Sequence, residues 1–301
     1  MSMAKRKKFT IKLRSGDLIL GERTLVMGVL NVTPDSFSDG GNFLAKERAI
    51  EHALQMERDG ADLIDVGAES TRPGAEAVSV EEELRRLVPV LEGLKGKLQI
   101  PISIDTQKAE VAEAALEFGA QIINDISGLK NDARLGDAAV RYGVPLLLMH
   151  MRGAPRTMQK AGFARNVLID VKRGLRESIE IARKAGVKKS QILVDPGIGF
   201  GKSYVQNYEL LQKLPEIAAL GYPLVVGTSR KGFIGATLAK DAKRPLRVEE
   251  RIWGTAATVA ASILGGAHIV RVHDVREMVQ VAGVTDSIWR SNSSRRLSRE
   301  S

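Results

Sequence analysis

The stretch MGVLNVTPDSFSDGG (residues 27–41) decides the fold, because it joins a buried strand to a long polar loop. It continues an apolar run, residues 25–30, that is interrupted only by Gly28 and is rich in strand-forming side chains. The run stops at Asn31, and the loop beyond it contains one aromatic residue, Phe37. Loops of this length without regular structure are uncommon in compact domains and are usually functional. The stretch therefore predicts a strand whose carboxyl end opens into a functional loop.

Similar apolar runs recur along the chain, alternating with amphipathic segments. Each run is nearly continuous in apolar residues, as strands buried on both faces must be. With residues 25–31, the predicted strands are 62–67, 99–105, 120–126, 144–149, 191–195, 223–228 and 267–272. The predicted helices are 45–59, 80–95, 107–118, 132–142, 165–186, 204–219 and 247–264, with a shorter one from about residue 275. Residues 9–22 alternate apolar and polar side chains around a glycine turn, which indicates a hairpin.

Eight β–α units without a linker between them predict a single (β/α)8 TIM barrel over residues 9–289, with an N-terminal β-hairpin. Periodicity does not distinguish a closed sheet from an open one, so a doubly wound α/β sheet is the alternative. No G-x-G-x-x-G follows the first strand, which weighs against a dinucleotide-binding form of that alternative.

Composition excludes several classes of protein. The 301 residues are 44% hydrophobic, enough for a large core, and include no cysteine, which excludes disulfides and cysteine-based sites. No apolar run approaches the roughly 18 residues that span a bilayer. No apolar segment follows the basic N-terminus, as a signal peptide requires. We expect a soluble, cytoplasmic protein without membrane contact.

The net charge of +9 lies mostly at the two ends of the chain. Residues 1–8 and 290–301 together carry most of it, which leaves +2 for residues 9–289. Both ends are predicted to be disordered basic tails, so a nucleic-acid partner is unlikely on charge alone.

Polar side chains follow all eight predicted strands. Active sites of (β/α)8 barrels lie at the carboxyl ends of the strands, so convergence of these residues on one rim indicates an enzyme. They are Asn31; Glu69, Thr71 and Arg72; Asp105; Asn124 and Asp125; His150 and Arg152; Asp195; Ser229, Arg230 and Lys231; Arg271 and His273.

The chemical types of these side chains indicate which kinds of ligand the site could bind. Arg271 and His273 are two residues apart at the end of one strand, so their side chains point to the same side. Together they could form an anion site, because arginine binds phosphate oxygens in a bidentate manner. Asp105 and Asp195 are carboxylates that need partners when buried, and a flat heterocycle with amidine-like N–H groups would supply them. Lys231 precedes an apparent helix and can donate to a carbonyl or attract a carboxylate.

Eight motifs distributed in order over residues 25–275 resemble the dihydropteroate synthase family. They are NVTPDSFSDGG (31–41), DVGAESTRPGA (65–75), SIDT (103–106), INDISG (123–128), MHMRG (149–153), DPGIGFGK (195–202), TSRKGFIG (228–235) and RVHDV (271–275). The family has a (β/α)8 fold. The resemblance implies a transferase of folate biosynthesis, a sulfonamide target that joins 4-aminobenzoate to 6-hydroxymethyl-7,8-dihydropterin pyrophosphate and releases pyrophosphate. It also implies a homodimer.

The resemblance also implies residue roles. Those implied in catalysis are Asp105, Asp195, Lys231 and Arg271. Those implied in substrate binding are the same four with Thr71, Arg72, Pro73, Asn124, Met149, Phe200, Ser229 and His273. Asn31 is implied as a ligand of Mg²⁺, the expected cofactor. One departure concerns aminobenzoate affinity, because residue 232 is glycine where some relatives carry a hydroxyl side chain.

Three other functions compete with this interpretation. A related pterin-binding methyltransferase would have no pyrophosphate to bind, and the loop after Asn31, Arg271 and His273 argue against it. A non-catalytic paralogue would bind a pterin or a partner protein without turnover. Nucleic-acid binding through the tails is the weakest of the three.

Overall fold

The computed structural model describes residues 6–33, 41–70, 77–153, 162–239 and 244–297, without the side chains of 41–44 and 292–297. Ten strands and ten α-helices lie within these ranges. The strands are β1 (Phe9–Leu13), β2 (Gly16–Leu20), β3 (Leu25–Asn31), β4 (Leu63–Gly67), β5 (Ile102–Asp105), β6 (Ile122–Asp125), β7 (Leu146–Met149), β8 (Ile192–Asp195), β9 (Val225–Val226) and β10 (Ile269–Val272). The helices are α1 (Gly41–Arg58), α2 (Val80–Leu94), α3 (Ala109–Glu117), α4 (Arg134–Tyr142), α5 (Val167–Lys184), α6 (Tyr204–Gln212), α7 (Leu214–Ala218), α8 (Gly232–Leu238), α9 (Ile252–Leu264) and α10 (Val275–Leu297).

Strands β3 to β10 form one parallel sheet in chain order, with β10 paired to β3. The sheet closes between β8 and β9, where Val194 and Leu224 form a parallel bridge and the Val194 amide donates to the Pro223 carbonyl (3.0 Å). The predicted (β/α)8 barrel is therefore confirmed, and the open doubly wound sheet is excluded. Parallel closure brings the eight carboxyl strand ends to one rim.

Capping side chains, glycine and proline set the ends of several helices. Ser79 caps α2 by accepting from the Glu82 amide (3.2 Å), and Gly143 ends α4 in the left-handed conformation (φ 67°). The segment predicted as one helix over 204–219 is two helices, α6 and α7, separated at Lys213, with Pro215 in the first turn of α7. Proline lacks the amide that a continuous helix would need there.

The hairpin β1–β2 covers the amino end of the barrel. Its side chains Ile11 and Leu20 are buried among apolar residues that point into the barrel from its strands. These residues are Leu25, Met27, Leu63, Ile122, Leu147, Leu193, Val225 and Ile269. Apolar packing therefore closes one end of the barrel, and the polar strand ends occupy the other.

The structure describes only part of each predicted basic tail, residues 6–8 and 290–297. Arg6 is 6% exposed, and its guanidinium donates to Asp286 of α10 (2.7 Å) and lies 4.7 Å from the Trp289 ring. Helix α10 begins at Val275 as predicted but continues to Leu297, so it is longer than expected and residues 290–297 are helical. Within the described residues, packed structure therefore includes Arg6 and helix α10 continues past residue 289, while the disorder predicted for the rest of each tail stays a prediction.

Among the described residues, no helix is both long enough and apolar enough to cross a membrane.

Candidate active site

A cavity of about 860 Å³ opens at the carboxyl ends of the strands. Its volume lies in the range of small-molecule sites. Predicted site residues that line it are Asn31, Asp105, Asn124, Met149, Asp195, Phe200, Ser229, Lys231, Arg271 and His273. The predicted residues Thr71, Arg72 and Pro73 lie outside the described residues. Ten of the thirteen predicted side chains thus share one cavity, and their binding roles stay predictions.

The centre of the cavity wall is a buried polar network around Arg271. The Arg271 Nε donates to Asp65 (2.6 Å) and its Nη2 to Asp105 (2.8 Å). Asn124 donates to the same Asp65 oxygen (2.9 Å). Burial raises the pKa of Asp105, while the charge of Arg271 opposes that rise. Asp65 was missed by sequence reasoning because it lies within an apolar strand, two residues before the strand end.

Asp195 ends β8 and is held by the turn that follows it. Its carboxylate accepts from the Gly197 amide (2.7 Å), and Gly197 has φ 65° with the His150 carbonyl where a Cβ would lie. Only glycine fits such a position. Burial raises the pKa of Asp195 to about 6, although the Gly197 amide and Lys231 favour its ionised form. Gly197 thus allows the close approach of the His150 carbonyl to this turn.

Lys231 projects into the cavity from the turn between β9 and α8. Its Nζ lies 3.9 Å from the centre of the Phe200 ring, within the range of a cation–π contact. Burial and the charge of Arg271 lower the pKa of Lys231 to about 8, opposed by Asp195 and Asp105. At neutral pH the ammonium is the predominant form, facing two carboxylates across the cavity.

The turn that carries Lys231 is held in place by hydrogen bonds of the preceding residue, Arg230. Arg230 adopts a left-handed conformation (φ 59°), which costs energy for a residue with a Cβ. Its Nε donates to Asp274 (3.0 Å), its amide donates to Thr255 (3.0 Å), and Arg251 donates to its carbonyl (2.8 Å). These contacts hold the strained residue in place and direct the neighbouring Lys231 to the cavity.

His273 is paired with Ser229 rather than with an acidic side chain. The Ser229 hydroxyl lies 3.0 Å from His273 Nδ1 and accepts from the His273 amide (3.1 Å). A serine hydroxyl can donate one hydrogen bond and accept two, so this contact fits either neutral tautomer of the ring. Burial and the charge of Arg271 lower the pKa of His273 to about 3. A neutral His273 offers an N–H donor, not a positive charge.

Lys202 lines the cavity and was also missed by sequence reasoning. It is 3% exposed, and its Nζ donates to the carbonyls of Phe200 (2.8 Å) and His150 (3.2 Å). Burial lowers the pKa of Lys202 to about 7. It occupies the last position of DPGIGFGK, in which only Asp195 and Phe200 were predicted as site residues. His150, expected on the rim, is 5% exposed beside Lys202 and does not line the cavity.

Comparison with known proteins relates this site to one family. The sequence pattern of the family described as pterin binding enzyme matches residues 27–273, which is most of the chain. Dihydropteroate synthase of Synechocystis is 49% identical over 270 residues, covering 90% of this chain and 92% of that protein. Dihydropteroate synthase of Clostridium beijerinckii is 50% identical over 281 residues, covering 93% of this chain and all of that protein.

Solved structures agree with these sequence relatives. A dihydropteroate synthase from Clostridium difficile, crystallised in the presence of pteroic acid, has a TM-score of 0.83 at 46% identity, covering 90% of this chain and 98% of that one. The Xanthomonas albilineans dihydropteroate synthase with 4-aminobenzoic acid has a TM-score of 0.86 at 42% identity, covering 94% and 99%. The same enzyme in complex with 7,8-dihydropteroate has a TM-score of 0.79 at 41% identity, covering 90% and 96%.

Proposed function

This chain belongs to the dihydropteroate synthase family of transferases, and we propose that it forms 7,8-dihydropteroate by a Mg²⁺-assisted, dissociative displacement in the cavity described above. The substrates are 6-hydroxymethyl-7,8-dihydropterin pyrophosphate and 4-aminobenzoate. One observation carries the proposal: Asp105, Asn124, Asp195, Lys231 and Arg271 come from five different strands or strand ends and face one cavity. Relatives solved with 4-aminobenzoic acid and with 7,8-dihydropteroate support the same substrates.

The pterin ring binds at the deep end of the cavity in this proposal. Asp105 and Asp195 accept hydrogen bonds from the ring N–H groups, and the Asn124 amide forms a hydrogen bond with another edge of the ring. Lys231 donates to the ring carbonyl. The raised pKa values of the two carboxyls support this assignment, since the ring N–H groups and the positive charge that grows during reaction would satisfy two poorly solvated acids.

The pyrophosphate is bound by Arg271 and by the N–H of neutral His273, with Asn31 at the mouth. Asn31 ends β3 and lines the cavity. Among the residues that the structure describes, no three His, Cys, Asp or Glu side chains converge as a metal site. A single amide oxygen still fits Mg²⁺, which commonly keeps several waters and binds substrate phosphates through few protein ligands. When bound, the ion would neutralise charge growing on the leaving pyrophosphate.

The aminobenzoate binds toward the cavity mouth, against Phe200 and the turn from Ser229 to Lys231. The backbone amides at the start of α8 and the Lys231 ammonium favour a carboxylate there. The predicted contributions of Thr71, Arg72 and Pro73 belong to the same part of the proposal.

In the reaction, the C–O bond between the pterin methylene and pyrophosphate breaks first. The electron-rich dihydropterin stabilises the resulting cation, and Asp105 and Asp195 lower its energy by their charge. The aromatic amine then forms the new C–N bond and loses a proton to solvent or pyrophosphate. Because the electrophile is so reactive, no strong general base is required.

The test is pyrophosphate release from the pterin pyrophosphate with Mg²⁺, with and without 4-aminobenzoate, while dihydropteroate is followed in parallel. Release that depends on aminobenzoate and equals product formation would support the proposal. Tight pterin binding without release would instead indicate the non-catalytic paralogue. A homodimer and a cytoplasmic location are further parts of the proposal, taken from the resemblance, which sedimentation and cell fractionation test.

A further inference from the structure

Asp65 is a carboxylate that the proposed reaction does not use. It is fully buried in the middle of β4, and one of its oxygens accepts from both Arg271 Nε (2.6 Å) and Asn124 Nδ2 (2.9 Å). Its other oxygen is buried and has no hydrogen-bond partner among the described residues. Asp65 does not line the cavity, whereas both of its partners do.

The strand register explains this position. Asp65 pairs with Ser103 of β5, while Asp105, two residues further along β5, pairs with Gly67. Side chains two residues apart lie on the same face of a strand, so Asp65 is one layer deeper in the barrel than Asp105. Asp65 therefore contacts Arg271 and Asn124 on the side away from the cavity, where a ligand does not reach it.

We propose that Asp65 is a positioning residue that fixes Arg271 and Asn124 against the cavity, and that this leaves Asp105 free to exchange Arg271 for the pterin ring. The inference rests on the function proposed above. Asp105 Oδ2 now accepts from Arg271 (2.8 Å), and a pterin N–H needs acceptor capacity on the same carboxylate.

Charge balance supports this exchange. If Asp105 were the only anion beside Arg271, its turning to the pterin would leave a buried guanidinium without a counter-charge, which is strongly unfavourable. Asp65 accepts from Nε at 2.6 Å and has no exposed surface, so it supplies a counter-charge to Arg271 that does not depend on Asp105. Arg271 still has further N–H donors for an anion, since a guanidinium has five.

The test is a double-mutant cycle between Asp65→Asn and Arg271→Ala, read out by calorimetric binding of 6-hydroxymethyl-7,8-dihydropterin pyrophosphate without aminobenzoate, and by kcat/KM. Asp65→Asn keeps the shape and removes the charge, and should lower kcat/KM on the order of a hundredfold, the effect that misplacing a substrate-positioning group has on rate. Affinity for the pterin pyrophosphate should fall with it. In the Arg271→Ala background the same substitution should cost only about threefold, because Arg271 is gone and only Asn124 is left for Asp65 to position. An equal cost in both backgrounds would overturn the proposal.

Ser103→Ala is the matched control. Ser103 is equally buried, is the register partner of Asp65 and makes no hydrogen bond through its hydroxyl among the described residues. It should keep wild-type pterin affinity, and a loss equal to that of Asp65→Asn would show that any change in this layer disturbs the cavity, which also overturns the proposal.

Arg271→Lys covers the case in which Asp65→Asn does not fold. One ammonium cannot bind Asp65 and Asp105 in the fork geometry of arginine, so its pterin affinity should fall nearly as far as that of Arg271→Ala. Wild-type affinity in Arg271→Lys would refute the positioning role. Turnover by the wild-type chain separates these outcomes from failure of the proposed function itself, since an inactive wild type would refute only the latter.

Discussion

The Nζ of Lys231 lies 3.9 Å from the centre of the Phe200 ring. The two residues belong to different β–α connections, Phe200 after β8 and Lys231 after β9. In the proposed site, their contact joins the part assigned to the aminobenzoate, beside Phe200, to the part assigned to the pterin, beside Lys231. The charge of Asp195, more than that of Asp105, favours the protonated form of Lys231.

Replacing Lys231 by alanine should therefore weaken pterin binding severely, by about tenfold to a hundredfold, since a charged hydrogen bond contributes roughly 1.5–3 kcal/mol. The fold should survive, because a buried charge is removed rather than added. Calorimetric titration with 6-hydroxymethylpterin measures the effect. Lys189→Ala is the control: that lysine also lies over an aromatic ring, Tyr222 at 5.3 Å, but at the amino end of the barrel. Unchanged pterin affinity in Lys231→Ala would remove this residue from the pterin site.

The pH dependence of kcat/KM should be bell-shaped. Burial raises the pKa of Asp195 to about 6 and lowers that of Lys231 to about 8, and the proposed site needs the ionised acid and the protonated amine. Activity should therefore fall toward acid pH as Asp195, near pH 6, and Asp105, whose pKa burial also raises, take up protons. It should fall above about pH 8 as Lys231 loses a proton. Because the charges interact, the two limbs report the pair rather than either residue alone. A flat profile from pH 5 to 9 would contradict this assignment.

The same raised pKa predicts that Asp195 lowers the stability of the fold. Burial raises the pKa of this carboxyl from its ordinary value of 3.8 to about 6, so the folded state binds the proton more tightly than the unfolded chain. Its ionisation thus costs stability progressively between those pH values, and the full cost applies above about pH 6. Asp195→Asn should raise the free energy of unfolding at pH 7 by roughly 3 kcal/mol, with no gain below about pH 4. Urea titrations at both pH values measure this, and a destabilised variant at pH 7 would contradict it.

The barrel could be predicted from sequence because its signals are local and repeated. Continuous apolar runs such as residues 25–30 mark strands buried on both faces, and a residue such as Gly143 marks a helix end. The residues of the rim could be predicted from their positions at the carboxyl ends of the predicted strands. Asp65 and Lys202 could not be found this way, because their importance depends on which side chains the closed barrel places beside them.

The structure of the two chain ends also depends on long-range contacts that the sequence pattern does not reveal. Arg6 belongs to a run of four basic residues, and such runs are usually solvated, yet its guanidinium is buried against Asp286, 280 residues away in sequence. Arginine is rarely buried unless it is paired, and a partner that distant leaves no local signal. The polar end of α10 likewise has the composition of a tail, although it continues the helix.

Gly232→Ser should be tolerated and should strengthen aminobenzoate binding. Gly232 begins α8, its φ is not in the left-handed region, and a Cβ there meets no atom within 4 Å. The added hydroxyl would lie next to Lys231, where the aminobenzoate carboxylate is proposed to bind. We expect KM for aminobenzoate to fall by about threefold, consistent with one neutral hydrogen bond. Sulfonamides should inhibit both enzymes in competition with aminobenzoate.

Steady-state kinetics measure both effects, and Gly235→Ser is the control. A Cβ at Gly235 would lie 2.5 Å from Arg251 Nε, so that variant should lose stability without improving KM. A higher KM in Gly232→Ser, or inhibition that excess aminobenzoate does not relieve, would contradict the placement of that substrate.

Arg6→Ala should destabilise the fold by about 3–5 kcal/mol, the cost of breaking a buried pair and leaving one charge uncompensated. Asp286 accepts from Arg6 (2.7 Å) and from the Thr24 amide (2.6 Å), so the pair ties the N-terminus and the start of β3 to α10. Lys8→Ala is the matched control, because Lys8 pairs with Glu22 at a similar distance (2.8 Å) but both side chains are exposed. Exposed pairs contribute at most about 1 kcal/mol, so Lys8→Ala should be nearly neutral. Chemical denaturation measures both variants, and equal losses of stability would show that the N-terminal segment acts through general charge instead of through the buried Arg6 contact.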